Sequence, residues 1–190
     1  YVLHGGNYYA GAFGDWSKDL KVKWRQSETP YINEKDRKEN RLRIETQKRE
    51  EEKRKYRLAF EAAENARKII QDSKAASEIN PYCLRKKIYP YGAFANENGL
   101  VIPLFSKAGG LVNIQTIDND GRKKFLYGGL KKGCFLELKR KDSKDIIYIC
   151  EGYATGVSLF INYGCNVVIA FDAGNLAPVA VNIKNMYPQH

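Results

Sequence analysis

The chain has 190 residues, 43% of them hydrophobic and 12% aromatic, with a formal net charge of +10. That length holds one compact domain or two small ones, and that composition excludes a wholly disordered chain. No apolar run reaches the ~18 residues of a membrane span and no signal-peptide pattern opens the chain, so no membrane role is expected; the positive charge points instead to a polyanionic partner.

The charge is uneven. Residues 85–144 carry thirteen Lys/Arg against five Asp/Glu, clustered at 85–87, 122–124, 131–132 and 139–141, whereas residues 34–74 carry fourteen against ten and largely compensate themselves. Cys83, Cys134, Cys150 and Cys165 show neither Cys-x-x-Cys nor Cys/His spacing. Zinc and a secreted disulfide framework are therefore not expected, and buried thiols in a reducing, cytoplasmic compartment are. The chain opens on Tyr1 and stops at "NMYPQH", where an α/β pattern would continue, so a piece of a longer protein is expected.

Residues 1–30, opening on "YVLHGGNYYAGAFGDW", mix aromatics with glycines and predict short strands joined by tight turns, with the aromatics forming a small core in preference to the alternative, a base-stacking platform. Residues 31–78 come after the break at Pro30. Asn33 can cap a long helix running to about Lys74, polar in its first half and carrying an apolar stripe, Leu58, Ala59, Ala62, Ala63, Ala66, Ile69 and Ile70, in its second. The second half should pack on something, and the first should project as a linker or docking arm.

Residues 79–144 read as a basic α+β unit. Pro81 and Pro90 are expected to stop regular helix, and the runs 100–105 and 111–117 alternate with Gly and Asp/Asn turns, which predicts an antiparallel hairpin or meander. Residues 145–190 change pattern again to strand ("DIIYIC"), helix ("ATGVSLFINYG"), strand ("NVVIAF") and helix ("APVAVNIKNMYP"). Short connections between such elements predict buried parallel strands in an α/β unit.

Ligands of parallel sheets sit beyond the carboxyl ends of the strands, and Glu151 ends the first strand, followed by Gly152. Two readings stand on spacing alone: a Mg²⁺ or Mn²⁺ ligand or general base, and an acid favoured by the N-terminal end of the next helix. Asp172 holds the equivalent place after the second strand; "DAGN" favours a turn and cap role over a second metal acid. Neither His4 nor His190 has a partner at useful spacing. The basic clusters, Lys86 among them and Arg122, Lys123, Lys124 and Lys132 around "RKKFLYGGLKKG", predict a track for phosphates over a merely solvated charge run.

The stretch "YICEGYATGVSLFINYGCNVVIAFDAGNLAPV", with "GLVIPLFSKAGGLVNIQTIDNDGRKKFLYGGLKKGCFLEL" before it, resembles the primase core of plasmid- and phage-type Toprim primases, relatives of bacterial replicative primase. The resemblance covers residues 80–188 and implies a basic subdomain followed by the first half of a Toprim domain. It implies Glu151 as the catalytic, metal-associated glutamate, and Lys124 and Lys132 as contacts to template, primer or nucleotide phosphates. Thr155 stands where replicative primases carry an aspartate, and "DAGN" replaces their Leu-Gly-Thr turn, so Asp172 inherits no role from that branch; the plasmid and phage branch uses "EGYAT" and "FDAGN". The Asp-x-Asp motif of Toprim domains would fall just beyond Pro188, so the chain by itself is expected to be weak or inactive.

The implied function is part of a DNA primase that synthesises short RNA primers on single-stranded DNA from nucleotides, with Mg²⁺ or Mn²⁺ and without zinc. A helicase or other replisome protein would be its partner. The alternative is a non-catalytic basic DNA-binding module with a helical docking arm. A nuclease or topoisomerase chemistry ranks last, since none of the thirteen tyrosines is singled out as a nucleophile.

Overall fold

The computed structural model describes residues 2–4, 10–15, 20–25, 34–142 and 146–189. The chain divides into two compact units, Tyr1–Glu52 and Lys53–His190.

In the first unit, β1 (Val2–His4), β2 (Ala10–Asp15) and β3 (Leu20–Arg25) form an antiparallel sheet in chain order, as the Gly/aromatic pattern predicts. The small aromatic core is not made by its described aromatics. Phe13 and Trp24 stay 51% and 52% exposed, and Trp24 stands opposite Gly11, which offers it no side chain. Tyr8, Tyr9 and Trp16 lie outside the described residues. The helix α1 (Glu34–Asp72) begins in this unit, and its described side chains over residues 34–50 are exposed, in keeping with their unbroken polarity. The predicted cap, Asn33, lies outside the described residues.

In the second unit the end of α1 meets a five-stranded antiparallel sheet, in the order β4 (Lys74–Ala75), β5 (Phe94–Asn96), β6 (Gly99–Phe105), β7 (Leu111–Ile117), β8 (Lys123–Phe125). Strand alternation divides its side chains cleanly. Val101 and Ile114 face α1 and enclose Ala66, with Ile69 and Ile70 packed beside them, while Leu100, Ile102, Leu104 and Ile117 enter the main core on the other face. The apolar stripe thus finds the partner it requires.

Pro81 opens a helix, α2 (Pro81–Lys86), where a stop was expected. A proline at the first helical position loses no hydrogen bond, and the Asn80 side chain caps the turn by accepting from the Tyr82 N–H at 3.0 Å.

A second sheet runs β10 (Ile147–Cys150), β11 (Asn166–Ile169), β9 (Leu136–Leu138), covered by α3 (Tyr153–Tyr163) and α4 (Leu176–Met186). The β10 and β11 strands pair in parallel, as expected, but β9 pairs with β11 antiparallel, so the sheet is mixed and not the purely parallel one predicted. A second expectation also changes: β10 is an edge strand, and only Cys150 of it is buried, whereas Val167, Val168 and Ile169 of central β11 are fully buried. The two sheets are joined by backbone pairing of Phe105 with Phe135 and share one core, giving an α+β unit.

Candidate nucleic-acid interface

The tips of β10 and β11 are shaped by how closely α3 lies on them. Gly156 permits this: a Cβ there would stand 2.5 Å from Ile169 Cγ1 and 3.1 Å from Cys150 Sγ. The close crossing brings the start of α3 to the end of β10, and Glu151, exposed, occupies the short step between them. Gly152 adopts an extended φ of −106° and caps α3 without a side-chain hydrogen bond. The nearest neighbour to a Cβ added there is Thr155 Oγ1 at 3.8 Å, so this glycine leaves open surface and relieves no clash.

The neighbours of Glu151 are chemically quiet. Burial pushes the Cys150 thiol up to about 11. Burial likewise raises the Tyr153 phenol far above its ordinary range, and that hydroxyl donates to the Tyr91 carbonyl at 2.9 Å. Neither group ionises near neutral pH.

Beside Gly152 opens a cleft of about 300 Å³. Arg85 and Lys86 enter it from α2, Asp120 and Gly121 from the β7–β8 turn, Lys123 from β8 and Thr155 from α3. Arg85 is held in place: its Nη1 donates to the Asn119 carbonyl at 2.8 Å. Lys86 and Lys123 are exposed, and among the described residues no carboxylate lies within ion-pair distance of either. A wall of three cations against one carboxylate, at an uncapped helix start, favours a phosphate group.

The structure distributes the predicted basic residues over different surfaces. Arg122 is exposed and pairs with Asp120 at 3.2 Å, while its N–H donates to the Asp118 carboxylate at 2.8 Å. Lys123 stands opposite Ile117 and Lys124 opposite Thr116, so the two project from opposite faces of β8. Lys123 shares the face of the cleft; Lys124 shares the face that carries α1. Lys132 is exposed on the loop before β9.

That loop is tied to the tip of β11 by Asn175, the last residue of "DAGN". Asn175 is buried; its Oδ1 accepts from the Gly133 N–H at 2.6 Å and its Nδ2 donates to the carbonyls of Cys134 and Ala170 at 2.9 and 2.8 Å. Gly133 takes a left-handed φ of +73° there, and Asn182 donates to its carbonyl at 2.9 Å. The Asn of "DAGN" is visible as turn chemistry, but nothing local to it announces a partner 42 residues away.

Asp172 stands at the N-cap position of the short 3₁₀ turn Ala173–Asn175, with the extended backbone usual there, but contrary to expectation its side chain makes no capping hydrogen bond. Its carboxylate lies 4.0 Å from Lys131 Nζ, which also sits 4.8 Å from the Phe125 ring. Phe171, before it, holds a left-handed φ of 71° and meets Phe125 edge-on at 6.2 Å. A bulky residue in that region stores strain of roughly 1–3 kcal/mol and is held there by packing. Among the described residues no group of three His, Cys, Asp or Glu converges as a metal site. No helix among them is long and apolar enough to cross a membrane.

Two curated relatives, both described as "DNA primase TraC" from Escherichia coli, align with this chain. One is 26% identical over 99% of the chain and 18% of its own length; the other is 30% identical over 70% of the chain and 11% of its own length. The likeness is to DNA primases. It supports a primase relationship, with the chain spanning less than a fifth of the relatives it matches. No family model and no solved structure matches the chain.

Proposed function

We propose that the chain forms part of the catalytic core of a Toprim-type DNA primase, which builds short RNA primers on single-stranded DNA by metal-dependent nucleotidyl transfer in the cytoplasm. The observation that carries this reading is the basic cleft lined by Gly152, the residue that follows Glu151 at the end of β10. In it Arg85, Lys86 and Lys123 hold phosphates of a nucleotide or strand, and Lys124 and Lys132 contact other stretches of the same nucleic acid.

A hard cation keeps most of its waters and takes one or two carboxylates together with substrate phosphates. Glu151, exposed at the strand tip, fits the part of one such ligand, and among the described residues no group of three His, Cys, Asp or Glu gathers as a metal site. When bound, Mg²⁺ or Mn²⁺ would activate the attacking hydroxyl and steady the pyrophosphate leaving group. The lysines and Arg85 position phosphates and offset their charge.

Primer synthesis from ribonucleotides on a single-stranded template, with Mg²⁺ or Mn²⁺, tests the reading in this chain and in a chain of its relatives' length. Glu151→Ala is expected to lower synthesis at least ~100-fold in the longer chain; synthesis at the wild-type rate would remove Glu151 from the reaction.

A second reading is favoured by the exposed, polar first half of α1: a non-catalytic DNA-binding module whose α1 segment docks a helicase or replisome protein. Metal-independent DNA binding, unchanged in Glu151→Ala, with no synthesis in the longer chain, would select it.

A further inference from the structure

Three rings form a ladder that climbs from the core to the surface, with a guanidinium against its buried end. The Arg140 guanidinium lies 5.1 Å from the Phe160 ring and donates to the Phe160 carbonyl at 2.7 Å. Phe160 meets Tyr91 edge-on at 5.1 Å, and Tyr91 meets Tyr89 at 4.9 Å with planes 51° apart. Exposure rises outward along it: Phe160 is buried, Tyr91 is 39% exposed and Tyr89 is 50% exposed.

The outer rings stand on a rigid support. The Tyr91 N–H donates to the Tyr89 carbonyl at 2.9 Å, closing a tight turn around the buried Pro90, whose ring fixes its own φ. The Tyr153 hydroxyl, from the first turn of α3, holds the Tyr91 carbonyl. A tyrosine so fixed offers a flat, polarisable face with little conformational entropy left to lose.

We infer that Tyr89 is a stacking platform for an unpaired base of a single strand whose phosphates occupy the cleft of Arg85, Lys86 and Lys123. The inference rests on the phosphate reading of that cleft and adds the residue that holds a base of the single strand. Tyr89 and Tyr91, 4.9 Å apart and tilted, leave no room for a base between them, so the outer face of Tyr89 takes the base and Tyr91 buttresses it. Lys86 lines the cleft and lies three residues before Tyr89, hence at most about 11 Å away between Cα atoms. An extended strand covers that distance within a few nucleotides. Lys87, between them and exposed, adds positive charge along the path. Aromatic faces beside a basic track are the physical recipe for binding single strands without reading their sequence.

Fluorescence anisotropy with labelled oligodeoxythymidylate, its abasic counterpart and oligouridylate tests the inference on the whole chain. Tyr89→Leu is expected to weaken oligodeoxythymidylate binding at least ~5-fold, the range of one lost base stack, while Tyr89→Phe keeps it. The abasic strand should bind the wild type correspondingly weakly and show no further loss with Tyr89→Leu. Oligouridylate should show a similar tyrosine-dependent gain, since the ring stacks on either base; a gain confined to one of the two strands would overturn sequence-independent stacking. Equal binding by wild type and Tyr89→Leu, or the same abasic penalty in both proteins, would overturn the platform. If the Lys86→Ala/Lys123→Ala variant weakens binding and Tyr89→Leu does not, the platform alone fails. If the wild type binds none of these strands, the phosphate reading fails and takes the platform with it.

Discussion

At the residue scale, burial decides which groups near the strand tips can carry charge. Cys150 ionises at 9.0 when free of the fold and at about 11 within it. Between those values the unfolded chain releases a proton that the folded chain keeps. Stability is therefore fully present below pH 9 and declines as pH rises towards 11, by at most roughly 1.4 kcal/mol per pH unit and on the order of 3 kcal/mol in all. Burial raises Cys83 and Cys134 in the same direction, so their contributions add to the decline. Urea denaturation at intervals from pH 7 to 10.5 should show this fall, and Cys150→Ala should begin less stable yet fall less steeply. Parallel pH profiles for the two proteins would deny Cys150 its part. The four buried thiols were legible in the sequence, since apolar flanks and the lack of ligand spacing leave a cysteine little else to do. Asn175 was not legible, because its three hydrogen bonds reach groups on two other segments.

At the element scale, alternation governs both the core and the site. The sequence shows three adjacent cations in "RKK" as one cluster, but a strand divides neighbours between its faces, so Lys123 reaches the cleft and Lys124 the opposite side. The parity of such a run can be read only once its pairing partner is known. The same holds for the second sheet. Two apolar runs joined by a helix predict β10 and β11 in parallel correctly, whereas short β9, "LEL", carries no local mark of the antiparallel partner that makes the sheet mixed. Pro81 departs from expectation for a different reason: proline forbids the helix interior and favours the first turn, and the Asn before it is the cue.

Helix α3 depends on one small residue. Gly156→Ala adds a methyl 2.5 Å from the fully buried Ile169. Alanine gains about 1 kcal/mol in helix propensity, but overpacking a dense core costs typically 1–3 kcal/mol, so a net loss of about 1 kcal/mol, and at most about 2, is expected. A urea midpoint that rises instead would show that α3 does not rest on the strands through this glycine.

For the molecule as a whole, charge sets the partner and packing sets where it is met. The excess of +10 would suit many polyanions. What narrows the choice is its placement: Lys86 and Lys123, distant in sequence, converge on a cleft at the tip of β10, while the polar half of α1 carries compensated charge. The chain's likeness to DNA primases agrees with that placement, and neither composition nor local pattern alone could locate the cleft.

The most direct test is the salt dependence of single-stranded DNA binding, compared between the wild type and Lys86→Ala/Lys123→Ala. Each phosphate contact releases counterions and contributes about 0.7 to the slope of log Kobs against log salt for a single strand. The account predicts that the double variant binds more weakly and loses about 1.4 from that slope. An unchanged slope, with binding intact, would contradict the claim that this cleft holds the strand.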